Sequence, residues 1–137
     1  MKKGRIATLC IAVINILVFV ANLIIGGGSF FGLFISGGGY LKEYGEAAFR
    51  LIMEQGQWWR LLTCGYLHMG IIHLAGNLVA LTIVGNKVEE KTGRIKLLIF
   101  YNAGTMLTAF AWCLIFRNGT MIGASLGIFV LLGMACV

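Results

Sequence analysis

Aspartate and proline are absent from the sequence, and charge of either sign is scarce. The missing aspartate excludes any Asp-dependent catalytic triad within the chain. Charged residues make up 12%, against roughly 25% in an ordinary soluble domain. Hydrophobic residues reach 59% and mean hydropathy is +0.91. A 137-residue chain has room for one compact unit, and a soluble fold of that size could not hide so much apolar surface. The solvent for most of it is lipid.

The formal net charge of +6 does not point to nucleic acid, because the Lys and Arg residues fall in short clusters between apolar runs. That clustering is what membrane orientation produces. Cys10, Cys64, Cys113 and Cys136 show no C-x-x-C spacing, so neither a disulfide framework nor a zinc site is supported.

The first apolar run, Ile6 to Ile25, is long enough to cross about 30 Å of hydrocarbon. It is longer than a signal-peptide core, carries Asn15 and Asn22, and lacks an A-x-A site, so it reads as a retained span. Residues 26 to 41 form a glycine- and aromatic-rich connector with Gly26–Gly28, Phe30, Phe31, Phe34 and Gly37–Gly39. Glu43 to Gln55 reads as an interfacial helix, and Trp58 and Trp59 mark a membrane–water boundary. Further spans are expected over Leu61–Val84 and Ile95–Phe116, with a polar loop at Gly85–Arg94. A fourth apolar run covers Met121–Val137.

The expected fold is therefore all-α: one membrane-embedded domain over 1–137, with three full spans and a fourth cut short. Lys2, Lys3, Arg5, Lys87, Lys91, Arg94 and Lys96 cluster on one side, and Lys42, Arg50, Arg60 and Arg117 are spread over the other. The first side is expected to be cytoplasmic, with residues 1–5 there and 26–60 forming an outer loop.

Polar groups inside spans are expensive and therefore informative. His73 and Asn77, four apart, share a helical face, with His68 about one turn earlier. On spacing alone they read first as interhelical hydrogen-bonding groups. Two histidines without a third ligand do not make a metal site. Gly123-Ala124-Ser125-Leu126-Gly127 matches the G-x-S-x-G elbow literally, but that motif needs a strand before it and a soluble sheet beneath it. Gly119, Gly123 and Gly127 recur every four residues, which reads as a helix-packing stripe and can coexist with a functional serine.

Taken in order, Trp59-Arg60-Leu61-Leu62-Thr63, His68 with His73 and Asn77, Gly85-x-x-x-Glu89-x-x-x-Gly93, Tyr101 and Gly104, and Gly123-Ala124-Ser125 resemble the rhomboid intramembrane serine proteases. The resemblance runs over about residues 57 to 134, with a weaker likeness in Ile14–Phe19. It implies an endopeptidase that cuts transmembrane helices near their outer ends, without cofactor or metal, with lipid and membrane-protein substrates as its partners. It implies Ser125 as nucleophile and His73 and Asn77 as oxyanion donors. Arg60 and Glu89 would fix the outer and cytoplasmic loops, and His68 and Gly123 would be structural.

The sequence departs from that family in two places. The family's base histidine lies two spans beyond the serine, and Val137 is twelve residues past Ser125, so this chain alone is expected to be inactive. Leu126 stands where the family has glycine, and Val130 where it often has a small residue. Leu126 either pushes the family's histidine helix away, at about 1–3 kcal/mol, or points to lipid while a slight rotation of its own helix restores the geometry. The alternative function is a non-catalytic rhomboid-like module that binds transmembrane helices.

Overall fold

The computed structural model of the protein describes residues 5–26, 34 and 40–136. Among the described residues, three helices are long and apolar enough to cross a membrane: α1 (Ile6–Ile25), α4 (Ile71–Thr92) and α5 (Arg94–Ile115). The described residues between α1 and α4 include the short helices α2 (Tyr40–Gly45) and α3 (Arg60–Thr63) and a two-residue strand, β1 (Ala47–Ala48). After α5 come strand β2 (Thr120–Met121) and the shorter apolar helix α6 (Ser125–Ala135). The glycine-rich connector expected over 26–41 falls mainly outside the described residues.

The α1 helix is apolar outward and partly polar inward. Ala7, Thr8, Ile11, Asn15, Phe19 and Asn22 are buried along one face, while Leu9, Leu17 and Ile24 are exposed. Inverted amphipathicity of this kind suits a helix whose surroundings are hydrocarbon and whose partners are other helices. Its own sequence supplies no N-cap hydrogen bond and no acidic residue in the first turn. Glu89 near the C-terminal end of α4 provides both. Its Oε1 accepts from the Ala7 N–H at 3.0 Å, and its Oε2 from the Thr8 N–H at 2.9 Å and the Thr8 hydroxyl at 2.8 Å. A carboxylate on these amides also meets the positive end of the helix dipole. Arg94 stands 3.8 Å behind it, and Arg5 bonds Glu90 at 3.0 Å alongside.

Four boundaries differ from the sequence reading. The expected second span, Leu61–Val84, is two helices: α3 runs into a 3₁₀ turn at Cys64–Tyr66, Leu67 is extended, and α4 starts only at Ile71. Gly65 sits at the turn because α5 comes too close for a side chain; a Cβ there would lie 2.5 Å from Thr105 Cγ2. His68 is consequently in the connecting segment and not on the helix with His73. The expected polar loop Gly85–Arg94 is mostly helix, with Gly93 at φ +85° making the whole reversal from α4 to α5. Gly85, inside α4, allows close contact with Thr8.

The expected interfacial helix over Glu43–Gln55 is broken into α2, β1 and a π-helical turn at Arg50–Glu54. The fourth apolar run is extended up to Gly123, and its helix begins at Ser125. β2 pairs antiparallel with β1, Ala47 opposite Met121 and Ala48 opposite Thr120. The glycine stripe therefore dissolves. Gly119 and Gly123 lie before the helix, and Gly127 alone of the three is on α6.

Replacing Glu89 by alanine should lower thermal stability in detergent by about 2–4 kcal/mol, since three donors lose a charged acceptor. Glu90→Ala, which removes one exposed ion pair, should cost less than about 1 kcal/mol. Equal melting shifts for the two variants would refute the cap.

Candidate functional site

A clasp on the outer loop frames the site. Arg60 is buried, and its guanidinium donates to Gln57 Oε1 at 2.6 Å, the Glu46 carbonyl at 3.1 Å and the Glu43 carbonyl at 2.8 Å. Burial lowers the pKa of this guanidinium from its ordinary value, and Glu46 opposes that in part. Trp59 Nε1 donates to the Tyr44 carbonyl at 3.2 Å, and the Thr63 hydroxyl to the Gly45 carbonyl at 3.0 Å. Four successive carbonyls, 43 to 46, are thus satisfied by three side chains of the Trp59–Thr63 segment. These are the orphan acceptors that the end of α2 would otherwise leave unpaired.

The clasp holds the chain that precedes the serine. Cys64, one residue past α3, accepts the Gly123 N–H at 2.8 Å through its carbonyl. Gly123 has φ +129°, a conformation that L side chains rarely adopt. A Cβ on it would stand 2.9 Å from His73 Cε1, 3.1 Å from His73 Nε2 and 3.5 Å from Ser125 Oγ. Gly123 is therefore the gap across which His73 and Ser125 face each other. Ser125 opens α6 and is half-buried. The backbone N–H groups at the start of a helix have no intrahelical acceptor and carry the positive end of its dipole.

On α4, His73 is half-buried and Asn77 is buried one turn further on. His73 Nδ1 and Asn77 Nδ2 have no hydrogen-bond partner. His68 is buried with both ring nitrogens likewise unpaired, and its ring meets the His73 ring edge-on at a centroid separation of 5.2 Å. Unpaired polar groups in a low-dielectric interior are costly. No hydrogen bond joins Ser125 to a histidine among the described residues. No cluster of three or more metal-ligating side chains is found among them either.

The structure thus brings together Gly123, Ser125, His73 and His68, with Asn77 one turn along α4 from His73. Arg60 lies in the clasp, next to the site in sequence through Cys64 but not in it. Glu89 lies at the opposite end of α4, on the α1 cap. The sequence reading missed the Cys64 carbonyl, whose role is carried by backbone and leaves no residue signature.

Leu126 does not point to lipid. It is 4% exposed and packs with Ala47, Ile52, Leu61, Cys64, Ala109 and Cys113. The late start of α6 turns this position toward α5 and the outer segment. The close approach is made by Gly127, where a Cβ would stand 2.6 Å from the Tyr101 ring and 2.7 Å from Thr105 Oγ1. Val130 fills the notch that Gly104 leaves on α5.

With this geometry in view, the comparisons with known proteins are specific. The Rhomboid domain family model matches residues 55–137. The chain belongs to the rhomboid family. It is 33% identical over 93 residues to RHOMBOID-like protein 7 of Arabidopsis thaliana, covering 68% of this chain and 30% of that one. It is 43% identical over 82 residues to Rhomboid protease GluP of Bacillus subtilis, covering 60% and 16% respectively. Inactive RHOMBOID-like protein 8 of Arabidopsis thaliana is 33% identical over 94 residues, covering 68% and 26%. The chain thus spans less than a third of the length of these relatives. Rhomboid membership and the three apolar helices make it an integral membrane protein with an all-α bundle.

Gly123→Ala should destabilise the protein by about 1–3 kcal/mol through backbone strain and the collision with His73. Thermal unfolding in detergent checks this; an unchanged midpoint would mean that the 122–124 turn is not as drawn.

Proposed function

We propose that this rhomboid is of the intramembrane serine endopeptidase type, with Ser125 as the nucleophile. The observation that carries the reading is the placement of Ser125 at the start of α6, opposite His73 across Gly123, with the unpaired Asn77 amide one turn beyond. Ser125 Oγ would attack a carbonyl of an unwound transmembrane segment. The Ser125 N–H, His73 and Asn77 would hold the oxyanion, an arrangement of preorganised donors worth several kcal/mol in a water-poor site. His73 is assigned to that role and not to proton abstraction. No described residue is assigned as the general base for Ser125.

A second reading is a non-catalytic module that binds transmembrane helices. It is supported by the lack of a base on Ser125 among the described residues and by the similarity to a relative named inactive. The deciding experiment is cleavage of a fluorogenic transmembrane substrate by protein recovered from its native membrane, compared with Ser125→Ala. Ser125-dependent cleavage, falling on the order of 10³-fold or more in the variant, is expected. Indistinguishable rates would leave the binding module. Recombinant residues 1–137 should give no Ser125-dependent turnover, and turnover from them would assign the base to His68 or His73.

We also assign the Arg5–Glu90 end of the bundle to the cytoplasm, because Lys87, Lys91, Arg94 and Lys96 gather there. In a Cys10→Ser, Cys136→Ser background, Glu90→Cys should react with a membrane-impermeant maleimide only after the membrane is opened. Glu54→Cys should react in intact cells. The reverse pattern would invert the topology.

A further inference from the structure

Beside the β1–β2 pairing lies a cavity of about 470 Å³ that no step of the proposed reaction uses. One wall is the outer segment, with Ala48, Phe49, Arg50 and Gln55; the other is the α5–β2 connection, with Arg117, Asn118 and Thr120. Two guanidiniums line it and no carboxylate does. Arg117 makes no ion pair among the described residues; it lies over the Phe49 ring at 5.1 Å. Arg50 meets only Glu54, at 3.4 Å, with both side chains more than half exposed. An exposed pair of this kind contributes little and yields readily to a stronger acceptor. Gln55, Asn118 and Thr120 add neutral donors around the same space.

The cavity is at the end of the bundle that carries Trp58, Trp59 and Phe116, all about half exposed, as side chains at a membrane–water boundary are. Guanidinium forks match the oxygen geometry of a phosphate, and the phosphates of lipid headgroups lie at the same boundary that such aromatic side chains mark. We propose that this cavity is a binding site for the phosphate of an anionic phospholipid headgroup, held between Arg50 and Arg117. The phosphate replaces Glu54 as the partner of Arg50 and gives Arg117 a counter-ion. It ties the outer segment to the α5–β2 connection beside the β1–β2 pairing. The site stands whether or not Ser125 is nucleophilic.

The test is native mass spectrometry of the full 137-residue chain, titrated in detergent with phosphatidylglycerol, phosphatidylcholine or inorganic phosphate. Wild type should retain one phosphatidylglycerol in preference to phosphatidylcholine. Arg50→Gln/Arg117→Gln should weaken that binding at least about tenfold. Lys42→Gln, at the same end but outside the cavity, should leave it unchanged. Phe49→Leu keeps both charges and removes the ring that positions Arg117, so it should weaken binding by less than the double variant. If the double variant loses helicity by circular dichroism, the single Arg50→Gln and Arg117→Gln variants carry the test, each with a loss of about threefold or more. Inorganic phosphate displacing the lipid at equal concentration would support the phosphate site and assign it to the soluble ion. Failure to displace would assign it to the lipid. Equal phosphatidylglycerol binding by wild type and the folded double variant would overturn the proposal.

Discussion

A backbone amide or carbonyl that faces hydrocarbon without a partner costs several kcal/mol, and every other feature of this bundle is arranged around that constraint. Helices solve it along their length and leave it unsolved at their ends. Here two of those ends are closed by side chains from elsewhere in the chain. The Glu89 carboxylate closes the start of α1, and the Trp59, Arg60 and Thr63 side chains close the end of α2. Both closures are intersegment contacts, so they fix tertiary placement at the same time as they satisfy the backbone.

Between these two closures, packing depends on absent side chains. Gly85 against Thr8, Gly65 against Thr105, Gly104 against Val130 and Gly127 against Tyr101 and Thr105 are all contacts that one methyl group would spoil. In lipid there is little hydrophobic force to press helices together, so close dispersion contact has to do it. The shape of α6 follows: Leu126 and Gly127 are neighbours in sequence, yet one fills a pocket in the outer half of the bundle and the other makes room for α5. A leucine that looks out of place in a family pattern is thus accommodated by the turn that precedes it.

How much of this was legible depended on what kind of signal each feature leaves. The α1 span is bounded as hydropathy bounds it, and α5 differs by one residue at each end, because length and apolarity are properties of composition. The α4 span was misplaced because hydropathy does not see a turn made of Cys64, Gly65 and Tyr66, and because Lys87, Glu89, Glu90 and Lys91 look like a loop when counted as charges. In three dimensions they are the charged last turns of a helix reaching the interface. Ser125, His73 and Asn77 could be picked out as polar residues in apolar surroundings. Their mutual placement could not, since it rests on the Gly123 backbone and the Cys64 carbonyl. The two-residue strands left no alternation to read.

The Glu89 cap has a consequence for how the protein is made. Its acceptor and donors are 81 and 82 residues apart, so the first span enters the membrane long before the residue that terminates it has been synthesised. During that interval the first amides of α1 lack this acceptor, while Asn22 Oδ1 at the other end can already accept the Leu41 N–H, at 2.8 Å in the folded bundle. Arrival of α4 then sets its depth to within the reach of one carboxylate. The apolarity that carries the first span into the bilayer is thus complete in the chain well before the carboxylate that closes its start.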